Sequence, residues 1–485
     1  MDNKINYEEW EAVIGLEVHV ELSTKTKVFC SCKTDFGAEP NTQICPVCLG
    51  MPGTLPVLNR KVVEYAIKAG LVTNCSISEY SKFDRKNYFY PDLPKAYQIT
   101  QKDIPICQNG YVDIKVDNSI KQIRIAEIHI EEDAGKLMHQ INAETWIDYN
   151  RSGVPLIEIV TQSDIRTAKE ADVFLKKLRA LIVYTGISDC KMNEGSFRCD
   201  INISARRIGD NELGVRTEIK NLNSFGFITK AIECEFKRQV EILASGNRVV
   251  RETRRFDEKR GITVSQRQKE EVADYRFFTE PDLPGIIVTK EMISEIQAEI
   301  PLLPDVRKEK YVSDYELSLA DSELIVSDIK IADYFEKAAS LTDYPKIAAN
   351  ILISEVLKFF DSDCGIFPIK AERLAEISQM SGTKLINSST AKKLIKQLTL
   401  FDFDPEEYVK AHDLEQINDV HLINKIVSEI ISDNSEAVSD YLKGKSAALK
   451  TIVGKSMAKM QGRANPVILN ETAISLLEKH KKTEV

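Results

Sequence analysis

Hydrophobic residues recur along this chain with two different periods, and the change of period divides it. Up to about residue 290, apolar and polar positions alternate in short runs, among them Val13–Leu22, Tyr111–Val116, Ile120–Ile130, Phe197–Ile203 and Val215–Ile219. Such alternation sends successive side chains to opposite faces of a strand. Arg60–Thr73, Thr167–Thr185 and Phe227–Ser245 are spaced as helices instead. Strands and helices without strict β-α-β alternation predict an α+β fold with a largely antiparallel sheet. Beyond Lys290 the alternation stops. Glu291–Ile300, Asp305–Tyr311, Glu316–Val326, Asp328–Ala338, Tyr344–Phe359 and Ala371–Met380 have helical spacing, often with Asp, Ser or Thr near the start as an N-cap would be. Pro405 either stops one helix or opens the next. The expected organisation is an α+β domain over 1–292, a helical domain over 293–405 and a helical tail over 406–485, with no internal repeat.

Composition changes this picture little. In 485 residues, 43% hydrophobic and 29% charged content is ordinary for a globular chain with a proper core. No run of about eighteen apolar residues is present, and the first residues lack a basic-then-apolar leader, so the expectation is an unanchored, cytoplasmic protein. The net charge of −9 argues against a surface that grips nucleic acid everywhere; such binding needs a local basic patch.

Of the ten cysteines, four cluster as Cys30-x-Cys32 and Cys45-x-x-Cys48. Two close thiol pairs joined by a short loop containing Gly37, Pro40 and Asn41 can converge on one tetrahedral zinc. Four sulfurs leave no open position for water, so the expected role is structural rather than catalytic. The alternative is four unmetallated buried thiols.

In Gly15–Leu22, Leu16, Val18, Val20 and Leu22 fall on one face and Glu17, His19 and Glu21 on the other. Two carboxylates bracketing an imidazole suit a divalent cation, and hard oxygens favour Mg²⁺; a solvated outer face is the alternative. Three further segments tilt the balance. Glu131, Glu132 and Asp133 are adjacent acids at a strand end and repel one another unless cations neutralise them. Arg198, Asp200 and Asn202 share a strand face, and Glu218–Ser224 adds an acid, a base and two amides. Lys82–Lys95 interleaves bases with aromatic rings, as a site for phosphates beside stacked bases would. Arginines at Arg151, Arg254 and Arg255 can clamp phosphoryl groups or make ordinary surface ion pairs. The P-loop pattern is absent: Ser439 and Leu449 stand where its first glycine belongs ahead of Gly444-Lys445-Ser446 and Gly454-Lys455-Ser456.

Across Gly15–Leu22, Lys82–Lys95, Glu131–Lys136, Asn150–Glu158, Gly195–Asp200 and Lys220–Phe225, the chain resembles the B subunits of the bacterial aspartyl/glutamyl-tRNA amidotransferases. The likeness runs the whole length in order. It implies a catalytic domain of the glutamine synthetase and guanidino kinase type, then a helical cradle and a tRNA-binding tail. It implies that ATP phosphorylates the side-chain carboxylate of Glu-tRNA(Gln) or Asp-tRNA(Asn), and that ammonia from the partner amidase, the A subunit, displaces the phosphate. A small C subunit would complete the heterotrimer. By the match, Glu17, His19 and Glu132 hold the magnesium, with Glu131 and Asp200 as additions. Arg198, Lys86, Arg151, Lys220 and Asn221 become candidates for ATP or the substrate carboxylate. Thr279 stands where the family has a proline, and Val264–Glu270 is looser than its pattern. A non-catalytic zinc-knot adaptor that only presents tRNA to the amidase is the competing reading.

Tyr441–Asn470 contains Lys443, Lys445, Lys450, Lys455, Lys459 and Arg463 and no acid. A four-residue spacing from Lys455 through Lys459 to Arg463 predicts one basic helical face. Alone, this could be a solvated lysine face; with the resemblance it becomes the expected tRNA patch.

Overall fold

The computed structural model describes residues 5–483 apart from Asn118, 140–143, Asn223, 269–274, 362–364, Gly444 and Ser446, and only the backbone of Asn221, Arg267, Gln268 and 480–483. The chain forms two compact units, Met1–Leu303 and Pro304–Val485.

The first unit is built on a nine-stranded sheet. Its strands are β1 (Trp10–Glu21), β2 (Ser76–Ile77), β3 (Cys107–Val116), β4 (Ser119–Glu132), β5 (Pro155–Thr161), β6 (Phe197–Arg207), β7 (Thr217–Leu222), β8 (Glu252–Asp257) and β9 (Ile262–Gln268). They lie in the order β9-β8-β7-β6-β1-β5-β4-β3-β2. Every neighbouring pair is antiparallel except β7 and β8. The α+β class expected from the alternation is what folds.

The alternation also decides which face is covered. Leu16, Val18 and Val20 of β1, Ile128 and Ile130 of β4, Ile157 and Ile159 of β5 and Ile201 and Ile203 of β6 enter one core. Three helices cover it: α1 (Arg60–Val72) on β4, α2 (Ala168–Tyr184) on β3 and α3 (Phe225–Ala244) on β6. Each fully buried aliphatic side chain stabilises the stack by ~1.5–3 kcal/mol. Asn59, Thr167 and Ser224 cap these helices by accepting the N–H groups of Lys61, Glu170 and Phe227. Thr167 and Thr185 therefore flank α2 rather than belong to it, and α3 starts at Phe225 because Ser224 takes the cap.

A smaller sheet orders Phe278–Thr279, Asp84–Asn87 and Tyr97–Thr100, and Tyr97–Thr100 packs against β4. Arg85 donates to both oxygens of the fully buried Glu280 at 2.7 and 2.8 Å, which locks the Phe278–Thr279 strand to this sheet. Thr279, where a proline was expected, accepts a hydrogen bond from Lys82 Nζ.

The second unit is helical and holds two hydrophobic clusters, one spanning Tyr311 to Val409 and one Ile423 to Leu477. The run Tyr344–Phe359 is not one helix: Pro345–Ile351 is α-helical, Leu352–Val356 widens to a π turn and Leu357–Phe359 tightens to a 3₁₀ turn. Pro405 opens a helix, Pro405–Ala411, capped by Asp404. The expected boundaries at 292 and 405 cut through packed elements. Ile296 of the helix Lys290–Ala298 lies in the first core, and Val409 lies in the first of the two helical clusters. No helix among the described residues is long and apolar enough to cross a membrane.

Candidate catalytic face and metal centre

The uncovered face of the sheet carries the charge, and the register shows how. His19 of β1 lies between Glu158 of β5 and Arg198 of β6, and Glu158 lies opposite His129 of β4. One row along, Glu17 lies opposite Asp200, and Asn202 pairs with Glu218 of β7. Cross-strand neighbours on one face come within side-chain reach, so these residues form two three-ligand groups. In the first, His19, Glu131 and Glu158, and in the second, Glu17, Asp200 and Glu218, the ligand atoms all lie within 4.8 Å of one another.

Electrostatics set both groups apart from an ordinary solvated face. Burial, and then the neighbouring Glu158, push the carboxyls of Glu17 and Glu131 above their usual range. Burial acts on Glu158 in the same direction, but His129 and His19 outweigh it and hold that carboxyl low. His129, its Nε2 3.1 Å from Glu158, is raised to about 9 although burial opposes this. Lys220 bridges Asp200 and Glu218 at 2.7 and 3.0 Å, and Asn202 donates to Glu17 at 2.8 Å. Buried acids in this density need cations. Hard oxygens with one imidazole are a donor set that fits Mg²⁺.

Two sequence expectations change here. Glu17 and His19 fall in different groups of candidate ligands. Glu132 belongs to neither. β4 continues through Glu132, so adjacent Glu131 and Glu132 point to opposite faces. Glu132 receives Lys95 Nζ at 2.5 and 2.6 Å and the Ile99 N–H at 2.9 Å. Glu158 and Glu218 complete the groups instead. Glu158 has a signal in the sequence, a lone acid between Ile157 and Ile159 in a mostly apolar strand. Glu218 has a weaker one, opening a segment of alternating polarity.

The cationic expectations gather nearby. Arg198 and Arg151 share Asp133, at 2.6 and 3.4 Å. Although fully buried, Asp133 is held low by these two guanidinium groups. Glu21, 3.8 Å from Arg198, is pushed up to about 8 by burial and by Asp133. Arg198 Nε is buried without a hydrogen-bond partner. Both arginines, with Lys136, Phe36 and Asn193, line a cleft of about 750 Å³. Lys86 stands over the rings of Tyr275 and Tyr88 at 5.1 and 5.8 Å, and its charge partly offsets the rise of Glu131 and adds to the lowering of Glu158. The Asn221 side chain lies outside the described residues. Arg254 is not at this face: it is buried with Glu252 and Glu235.

The Cys30, Cys32, Cys45 and Cys48 sulfurs also lie within 4.8 Å of one another. This soft four-thiol donor set can hold a metal such as zinc. Cys48 is held down to about 4, first by the Cys30 thiol and further by Lys27. Lys27 has no counterpart in the sequence expectations. It is fully buried, and its ammonium donates to Cys48 Sγ at 3.7 Å and the Tyr149 carbonyl at 3.3 Å.

The basic tail differs from its expected form. The helix Ala447–Lys459 carries Lys455 and Lys459 and ends there. Gln461 and Gly462 have φ of 56° and 78°, so the chain turns and Arg463 leaves the helical face. The segment has no acid of its own, yet folding brings acids to it: Asp440 to Lys445 at 2.9 Å, Glu429 to Lys459 at 2.7 Å and Asp413 to Arg463 at 2.7 Å. Lys455 donates to Asn434. Lys443 and Lys450 are exposed.

Comparison with known proteins matches residues 12–294 to the family described as "GatB/GatE catalytic domain" and residues 333–477 to "GatB domain". A protein of Carboxydothermus hydrogenoformans is 50% identical over 473 residues, 96% of this chain and 98% of its own. One of Caldicellulosiruptor saccharolyticus is 52% identical over 479 residues, 97% of this chain and 100% of its own. Both are named as the B subunit of an aspartyl/glutamyl-tRNA(Asn/Gln) amidotransferase.

Proposed function

We propose a function from one premise: the chain belongs to the family of aspartyl/glutamyl-tRNA(Asn/Gln) amidotransferase B subunits. It is the ATP-dependent carbon–nitrogen ligase component that activates the side-chain carboxylate of Glu-tRNA(Gln), Asp-tRNA(Asn) or both. The carboxylate is a poor acylating agent, so it is first phosphorylated and then attacked by ammonia. The chain works in the cytoplasm in a heterotrimer with an amidase, the A subunit and source of ammonia, and with a small C subunit. The α+β domain carries the chemistry, the helical domain after it forms a cradle and the C-terminal tail reaches the tRNA.

The observation that carries this reading is the pair of three-ligand groups on one sheet face. His19, Glu131 and Glu158 would hold one Mg²⁺, and Glu17, Asp200 and Glu218 a second. Bound there, the ions supply positive charge to the phosphoryl oxygens of ATP. Lys86 adds a side-chain cation beside the first group. Arg198 and Arg151, held by Asp133, orient the anionic substrate at the cleft, and the unpartnered Arg198 Nε is a donor for it. The sulfurs of Cys30, Cys32, Cys45 and Cys48 would hold a structural zinc. Lys443, Lys445, Lys455, Lys459 and Arg463 give the tail its phosphate contacts.

An adaptor that merely presents tRNA has no use for six clustered ligands on the uncovered face of a sheet. Replacing Glu17 with Ala should leave tRNA retention on a filter unchanged and reduce ATP-dependent transamidation at least ~10²–10³-fold. Normal transamidation by Glu17→Ala would refute the ligase reading and favour the adaptor.

A further inference from the structure

We propose that Lys27 is a positioning residue that ties the four-cysteine centre to the turn carrying Arg151, so that metal bound at the cysteines holds a substrate arginine in place. The inference rests on the reading of the four cysteines as zinc ligands and of Arg151 as a substrate residue.

Four bonds make the tie. The Lys27 N–H donates to the Cys32 carbonyl at 2.9 Å. Its ammonium donates to Cys48 Sγ at 3.7 Å and to the Tyr149 carbonyl at 3.3 Å. The next residue, Val28, donates to the Gly153 carbonyl at 3.0 Å. This short stretch thus grips the Cys32 backbone and the Cys48 thiol on one side and both ends of the turn Tyr149–Gly153 on the other. Arg151 lies at the middle of that turn and donates to the carbonyls of Ala134 and Gly135, each at 2.9 Å. The far side of the cysteine loop grips the same segment. Asn41 donates to Asp148 Oδ1 and the Ile147 carbonyl, Gln43 N–H donates to Asn150 Oδ1, and Asn150 donates to the Glu39 carbonyl.

The charge on Lys27 requires an anion, and the geometry leaves the thiolates as the candidates. The side chain is wholly buried beside a cavity of about 100 Å³ lined also by Phe29, Val47 and Ile99. Two carboxylates border that cavity, Glu132 and Asp282. Lys95 already takes both oxygens of Glu132, and Asp282 accepts from Arg85. A buried ammonium without a counter-charge is strongly disfavoured. Four thiolates on a divalent ion carry excess negative charge, and Lys27 stands against one of them. Gly153 belongs to the same packing: with φ of +83°, a Cβ there would meet Lys27 Cδ at 3.5 Å and Cys48 Cβ at 3.7 Å. Partners of metal ligands that fix ligand orientation commonly matter nearly as much as the ligands themselves.

The test uses the whole complex, purified with its partner subunits and carrying Lys27→Met or Lys27→Arg. Loaded with Co²⁺ in place of zinc, Lys27→Met should keep a tetrahedral spectrum, while its thiolate-to-cobalt charge-transfer band moves to lower energy because the sulfur has lost a donor. Release of zinc to a chromophoric chelator should quicken about 10-fold or more. KM for the misacylated tRNA should rise on the order of tenfold while kcat stays within about twofold, the signature of lost binding rather than lost chemistry. Lys27→Arg, which keeps a cation, should recover part of each effect. An unmoved band with unchanged zinc release overturns the tie to the thiolate, and a moved band with unchanged KM overturns the tie to the substrate. The two underlying readings fail separately: a wild-type complex that binds no zinc refutes the first, and Arg151→Ala with a wild-type KM refutes the second. Where Lys27→Met does not fold, zinc-stripped wild-type complex must show the same rise in KM, and an unchanged KM overturns the proposal.

Discussion

Removing the buried partner of Arg85 should destabilise the first unit through the small sheet that carries Lys86. Glu280 is fully buried and accepts from Arg85 at 2.7 and 2.8 Å and from the Asp282 N–H at 3.0 Å. Breaking a buried pair at one end costs ~3–5 kcal/mol, mostly because the other charge is left uncompensated. For Glu280→Leu the lower end applies, about 3 kcal/mol, because Arg85 keeps Asp282 at 3.0 Å and the Tyr97 ring at 4.3 Å. Arg85→Met strands the Glu280 carboxylate in the interior, and the upper end applies, about 5 kcal/mol. Replacing both removes the charge from the site, so the double variant should be less destabilised than either single one, which makes the coupling several kcal/mol. Tryptophan emission during urea unfolding reads this unit selectively, since the chain's two tryptophans, Trp10 and Trp146, both lie in it. With a slope of ~3 kcal/mol per molar urea, Glu280→Leu should lower the midpoint by about 1 M. A double variant as unstable as the two single variants combined, with coupling below ~1 kcal/mol, would refute the reasoning.

Other expectations follow from the site. Glu158→Ala and Glu218→Ala should each weaken Mn²⁺ binding, read by electron paramagnetic resonance, and cut transamidation ~10²-fold or more. Glu132→Ala should leave Mn²⁺ binding unchanged, since its carboxylate is on the opposite face with Lys95; weakened binding would restore it to the ligand set. Withdrawing zinc with a chelator should lower the thermal midpoint of the first unit and leave the tail's unfolding, followed by hydrogen exchange, where it was. In the tail, Lys443→Glu and Lys450→Glu should each flatten the salt dependence of tRNA binding by about one phosphate's worth. Lys459→Ala should cost less than these, because Glu429 at 2.7 Å already offsets that charge; an equal loss would show that the ion pair opens on binding.

Much of the site could be read from the sequence because strands translate order into faces. Glu17, His19, Arg198 and Asp200 sit where two-residue periodicity places them. The same rule, carried one residue further, separates Glu131 from Glu132; what misleads there is placing the end of β4 before the acids instead of after them. Glu158 was visible as an acid in a mostly apolar strand. Lys27 was not, since nothing about a lysine between a threonine-rich turn and a valine foretells complete burial. In the tail, the acids that neutralise Lys445, Lys459 and Arg463 come from Asp440, Glu429 and Asp413, all outside the stretch whose lack of acid suggested a patch.

By itself, then, the sequence determined local periodicity: which segments are strands or helices, which face of each is apolar, and which thiols are spaced to share a metal. These depend on neighbours a few residues apart, where chain geometry leaves little freedom. The tertiary structure decided everything that needs two distant segments to meet. Strand order put His19 between Glu158 and Arg198, register split one imagined metal set into two groups, and burial turned Lys27 into the counter-charge of Cys48. Such pairings are set by how the whole core packs and by which charges can be left unhydrated together, and no window of the chain contains that information.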